Sequence, residues 1–178
     1  MQRKGRKKEL LEKAYELGFE YEKTYKGCSQ CVIGAIQDTL GIRDDSVFKS
    51  ATGLAGGGGL TGIGDCGAYA GGVMVLSQLL GRERSRFDDP ERIRFRSFDL
   101  AKKLGDQFLD EFGTIICRDI QTKIFGRPYY LRDPEEFNKF EEAGAHRDKC
   151  PDVVGKGAQM AVKIILDEGL VDLDPPKR

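Results

Sequence analysis

The chain has 178 residues, with 29 basic and 29 acidic side chains and no net charge. That length is enough for one domain with a core of its own, and the balanced charge excludes the strongly basic profile of a nucleic-acid binder. A single histidine and no tryptophan exclude a His-based triad or a multi-histidine metal site, which leaves five cysteines as the main chemical asset.

The basic stretch RKGRKK at residues 3–8 is expected to be a solvated arm. No apolar segment follows it, so it is not read as a secretory signal, and no run approaches the ~18 apolar residues of a membrane span. A cytoplasmic location follows as an expectation, and there thiols stay reduced. One domain is expected over residues 1–178, with 173–178 as a loosely ordered tail.

Helical patterns then follow one another. KKELLEKAYELGFEYEKTY carries Leu10, Leu11, Ala14, Tyr15 and Leu17 at roughly helical spacing. CSQCVIGAIQDTLG sets Cys28, Val32, Ala35, Ile36 and Thr39 along one face, with Gly41 as a stop. DDSVFKSATGLAGG reads as a short helix that starts at Asp44 or Asp45. Half of the 20 residues from Gly53 to Gly72 are glycine, and they lead into CGAYAGGVMVLSQLLG, apolar almost all round and expected to be the central buried helix. The segment from Asp89 to Gly113 is long and amphipathic, opening near Pro90. TIICRDIQTKIFG is another short helix with Thr114 as a candidate cap, residues 127–149 are the least regular, and Cys150 to Leu170 is a C-terminal helix with Pro151 at its first position. No alternating run demands a sheet and no period repeats. The expected fold is an all-α bundle of about five to seven helices, with a glycine-rich loop before the central one.

GIGDCG matches G-x-G-x-x-G at Gly62, Gly64 and Gly67. A dinucleotide turn needs a buried strand before it and a second strand after the helix; four glycines precede it instead, and no G-K-[ST] follows. The glycines are better read mechanically. Gly64, Gly67 and Gly71 let backbone, a neighbouring helix or a cofactor come close to the start of the central helix.

Cys66, Cys117 and Cys150 fall at inferred helix starts, with Asp65 as a cap before Cys66. Free N–H groups there favour thiolate, and Arg118, Arg147 and Lys149 add positive charge nearby. Cys28 and Cys31 are spaced as neighbours on one helical face. Thioredoxin chemistry lacks its βαβ context, and Val32 stands where covalent haem attachment needs histidine. Wide separations do not suit zinc knuckles but suit a site inside a helical core, where thiolate ligation selects zinc or iron–sulfur.

In order, GCSQCVIGAI, LAGGGGLTGIGDCGAYAGGVMVL, GTIICRDI and CPDVVGKGAQMAVKIIL resemble the redox-active protein family C_GCAxxG_C_C, over residues 27 to about 166. Its mark is four separated cysteines, one inside a C-G-A-x-x-G segment, here Cys66 to Gly71. The resemblance assigns Cys28, Cys66, Cys117 and Cys150 as redox thiols and metal ligands. Cys31 departs from the pattern as an extra ligand, a resolving thiol or filler. The family is similar to a domain of split-Soret cytochromes, whose haem-attachment motif is missing from this chain. These residues predict convergence of the four cysteines in one pocket. An iron–sulfur cluster for electron transfer is the leading expectation. The alternatives are metal-free thiol–disulfide chemistry, with Cys28 or Cys31 attacking, and a non-enzymatic module with a structural or sensory zinc. An unidentified redox partner and a homodimer are expected, and neither nucleic acid nor membrane.

Overall fold

The computed structural model describes residues 2–172, and the expected tail at 173–178 lies outside them. The described residues form eight α-helices and no strand: α1 (Gln2–Tyr25), α2 (Cys28–Leu40), α3 (Asp45–Ser50), α4 (Gly67–Leu79), α5 (Ile93–Phe112), α6 (Cys117–Phe125), α7 (Pro134–Glu142) and α8 (Cys150–Asp167). Short 3-10 turns at Thr52–Leu54 and Arg84–Arg86 and a π turn at Ala145–Lys149 complete the regular structure. The all-helical expectation therefore holds, with one helix more than the five to seven expected.

Local chemistry sets the boundaries. Asp44 caps α3, its carboxylate accepting from the Ser46 and Val47 N–H groups. Gly41 and Gly113 end α2 and α5 in the left-handed conformation that glycine adopts without a Cβ penalty. Helix α5 starts at Ile93, not near Pro90. The buried Asp89 carboxylate accepts from Ile93 N at 2.7 Å and Arg94 N at 3.2 Å, and so satisfies the first turn from outside the helix. Helix α7 lies in the stretch read as irregular. Asp133 caps it through Glu136 N, and Pro134 supplies the pre-set φ of a first helical residue. The basic residues expected to form an arm are instead the first turns of α1, where Lys7 pairs with Asp167 of α8.

Helices α1 and α8 make the most extensive pairing in the fold, and α2 packs against α1, α4 and α8. Central helix α4 is covered by α2, α5 and α8, as its all-round apolar surface requires. Gly71 makes the α2–α4 approach possible, since a Cβ there would sit 2.5 Å from Val32 Cγ1. The main core includes the fully buried Phe108, Ile33, Ile36, Leu76 and Leu104. Each such side chain contributes roughly 1.5–3 kcal/mol of burial. A second, smaller cluster gathers Leu131, Phe140 and Ala145, with Phe125, Tyr129, Phe137 and Cys150 packed on it.

Candidate functional site

Four of the five cysteines open helices, three of them at free N-termini; at the fourth, Cys150, the helix runs on from the π turn and the N–H donates to Ala145 O. Cys28, Cys117 and Cys150 are the first residues of α2, α6 and α8, and Cys66 is the N-cap of α4. The pattern read from sequence at three of these positions thus extends to Cys28. All four line one cavity of about 280 Å³, where the main core meets the smaller cluster. Its walls are mostly apolar, with Ile120, Ile124, Leu131 and Phe140 among them.

The backbone of residues 55–66 fixes two of these sulfurs together. Cys66 N donates to Ile115 O at 2.7 Å, Cys117 N to Gly64 O at 3.0 Å and Arg118 N to Gly62 O at 3.0 Å, around an antiparallel bridge between Asp65 and Ile116. Asp65 is therefore a bridge residue, and the Cys66 N-cap has no side-chain capping bond. Thr114 does not cap α6; its hydroxyl accepts from Ile116 N, and Ile116 is the N-cap. Gly57 has a φ of 77°, and a Cβ on it would lie 3.0 Å from Cys117 Cβ and 2.8 Å from Gly62. Only glycine fits there.

Gly64, Gly67 and Gly71 do not line the cavity. Each serves a close approach within the protein. A Cβ on Gly64 would meet Gly57 O at 2.7 Å, Gly71 faces α2, and a Cβ on Gly67 would collide with Cys28 Sγ. The nearby backbone amides of Gly56 and Gly67 lower the Cys28 pKa, and those of Ala68 and Tyr69 lower that of Cys66.

Despite these amides, the thiols are not poised as thiolates. Burial pushes Cys66 up to about 12, with Cys117 adding to the shift and the Ala68 and Tyr69 amides opposing it. Burial and then Cys28 push Cys117 to about 12, against a hydrogen bond from Gln121 Nε2 to its sulfur at 3.5 Å. Burial, followed by the Glu22 carboxylate, raises Cys28 and Cys150 well above the ordinary thiol range. The helix N-termini are present as expected, but desolvation outweighs them. Arg118 and Arg147, expected to favour thiolate, pair at the surface with Asp119 and Asp148. Neither they nor Lys149 lines the cavity.

Cys31 is buried and lies outside the cavity lining, its thiol donating to Lys26 O at 3.1 Å. Burial and the neighbouring Glu22 raise its pKa as well.

Three ionisable residues of the cavity wall have no role in the sequence reading: Glu22, Lys26 and His146. The Glu22 side chain is only 3 % exposed, with Oε1 3.6 Å from His146 Nε2 and Oε2 without a hydrogen-bond partner. Burial lifts its carboxyl to about 7, opposed by the nearby Cys31 thiol and the charge of Lys26. His146 Nδ1 lies 2.7 Å from Glu141 Oε1, which also accepts from Lys26 Nζ at 2.7 Å. A signal for Glu22 did exist: it continues the buried row Leu10, Ala14, Gly18 on α1, an acid where the pattern calls for an apolar residue.

The sequence profile of the family described as "Putative redox-active protein (C_GCAxxG_C_C)" matches residues 7–164. The chain belongs to this family. The description supports a redox role for this C_GCAxxG_C_C protein. No curated protein and no solved structure matches the chain. Among its described residues, no helix is long and apolar enough to cross a membrane. Among the same residues, no group of three or more His, Cys, Asp or Glu side chains is placed to hold a metal ion.

Proposed function

We propose that Cys28, Cys66, Cys117 and Cys150 hold an iron–sulfur cluster and that the protein exchanges electrons through it with an external one-electron carrier. The observation that carries this reading is the presence of all four thiols on the wall of one cavity, each delivered by the start of a different helix. Four cysteines are the usual ligand set of such clusters. A volume of about 280 Å³ suits a group larger than one ion; a single water needs only ~10–15 Å³ on a comparable measure.

When bound, the group supplies one-electron redox chemistry. The chain's contribution follows from its own atoms. Helix N-termini offer positive potential to an anionic sulfur-ligated group. The amides of Gly56 and Gly67 lie near the Cys28 sulfur and those of Ala68 and Tyr69 near the Cys66 sulfur, and backbone dipoles so placed tune a reduction potential. Apolar walls limit water. The raised thiol pKa values weigh against thiol–disulfide exchange, which needs a thiolate to attack. They are compatible with ligation, in which binding displaces the thiol protons.

The test is anaerobic purification followed by a visible spectrum and assays of iron, zinc and acid-labile sulfide. Brown protein with iron and sulfide in comparable amounts is expected. Zinc without sulfide, or a metal-free protein with a titratable disulfide, refutes the reading.

A further inference from the structure

A chain of polar contacts leads from the cavity wall to the surface, and the site as described so far makes no use of it. It starts at Glu22, whose carboxyl is buried beside the cysteines with one oxygen unpartnered. An unpaired buried carboxyl is costly, and its presence in an otherwise apolar wall calls for a role. Glu22 Oε1 is 3.6 Å from His146 Nε2, and a shift of about half an ångström brings the pair into hydrogen-bond range. On the other side of the ring, Nδ1 meets Glu141 at 2.7 Å. The Glu141 side chain is 28 % exposed and bonded to the surface residue Lys26. The imidazole thus stands between a buried acid and a solvent-exposed one, one nitrogen towards each.

We propose that Glu22, His146 and Glu141 form a proton path that couples electron transfer at the cysteine cavity to proton exchange with solvent. This rests on the redox reading of the four cysteines given above. When an external one-electron donor reduces the site, Glu141 passes a solvent proton to His146 Nδ1, and the Nε2 proton moves to Glu22. When an external acceptor takes the electron away, Glu22 returns its proton to Nε2, and the Nδ1 proton leaves through Glu141. One electron and one proton are gained or lost together. Negative charge arriving near Glu22 favours its protonated form, which sets the direction of uptake. The groups that bear on Glu22 are Lys26 on its own helix, Cys28 and Cys31 of α2, Cys66 before α4, Glu141 of α7, His146 of the π turn and Cys150 of α8. A carboxyl lifted to about 7 titrates where such coupling is usable at neutral pH. Neither Glu22 nor His146 is among the proposed cluster ligands, so the path can be altered apart from them.

The test is an anaerobic redox titration of the loaded protein at several pH values. Above pH 7, where Glu22 is ionised before reduction, wild type is expected to lose about 59 mV of midpoint potential per tenfold fall in proton concentration, the value for one proton per electron. Glu22→Gln should flatten that slope. His146→Gln should keep the equilibrium slope but slow pH-dependent electron transfer at least tenfold, because it interrupts the route and leaves the acceptor. A wild-type couple that is independent of pH, or a Glu22→Gln variant that keeps the full slope, overturns the path and leaves the redox reading intact. Absence of any couple in wild type overturns both. A second readout needs no cofactor. In the metal-free protein, the infrared band of a protonated carboxyl should vanish as pH rises through neutrality and be absent from Glu22→Gln; a wild-type protein without that band overturns the path.

Discussion

Gly67 is the sharpest place to test how the site is mounted. A Cβ at this position would collide with Cys28 Sγ and lie 2.8 Å from Ser29 N. Ser29 N is helix backbone and cannot rotate aside, so the start of α4 must retreat from α2 by about 0.6 Å to restore ordinary contact. That retreat also opens the packing of Gly71 against Ser29 and Val32, one turn further on. Overpacking of this kind costs about 1–3 kcal/mol. Alanine recovers at most about 1 kcal/mol through helix propensity and lower unfolded-state entropy. Gly67→Ala is therefore expected to lose a net ~1–2 kcal/mol and to bind less iron, since the displaced atom is a proposed ligand. Gly105, inside α5, is the control. Its added Cβ would meet only the Tyr69 side chain, at an ordinary 3.5 Å or more, so Gly105→Ala should gain about 0.5–1 kcal/mol. Denaturant unfolding of the reduced, metal-free proteins, with iron analysis after anaerobic loading, measures both effects. If Gly67→Ala matches wild type in stability and iron, the close approach of α4 to the Cys28 sulfur does not exist as described.

Cys66→Ser should abolish cofactor binding while Cys31→Ser retains it, because Cys66 lines the cavity and Cys31 does not; the reverse order in iron content would reject the assignment. Glu22 has a folded pKa of about 7 against an ordinary 4.5, so its stabilising contribution is complete below 4.5 and lost as pH rises through 7. Unfolding free energies of wild type and Glu22→Gln should diverge by about 3 kcal/mol across that window, wild type falling behind on the alkaline side, and parallel profiles would contradict this. The raised thiols act in the same sense at higher pH: fully protonated in fold and unfolded chain below the free-thiol value of ~8.5, each costs about 1.4 kcal/mol per pH unit above it. The metal-free protein should therefore melt at steadily lower temperature as the buffer becomes alkaline, and a flat profile would show the thiols to be less buried than described.

Much of this was legible in the sequence. Helical spacing located α1, α2, α4 and α8, and the four-cysteine pattern identified the residues that share the cavity. Helix α7 was missed because its signal lies in a local cap, Asp133 before Pro134, inside a segment interrupted by two prolines. The preference for thiolate was misjudged because sequence shows a helix start but not how much water reaches it. Gly64, Gly67 and Gly71 were marked correctly as places of close approach, but what approaches is α2 and the glycine segment itself. Glu22 and His146 are 124 positions apart, and only the packing of the π turn on α1 brings them together.

The pairing of α1 with α8 bears on how the protein is made. Cys150 and the helix that positions it are synthesised after every other part of the cavity wall except Val153 and Val154, which belong to the same helix. A nascent chain that has extended past α6 already carries three of the four sulfurs and the α2 face that packs on α1, yet the larger partner of α1 is still missing. The cavity is closed only when α8 leaves the ribosome and docks on α1. Loading of the proposed cluster is in this way tied to completion of the chain through α8, and products truncated before it lack both the fourth sulfur and the helix that seals the fold.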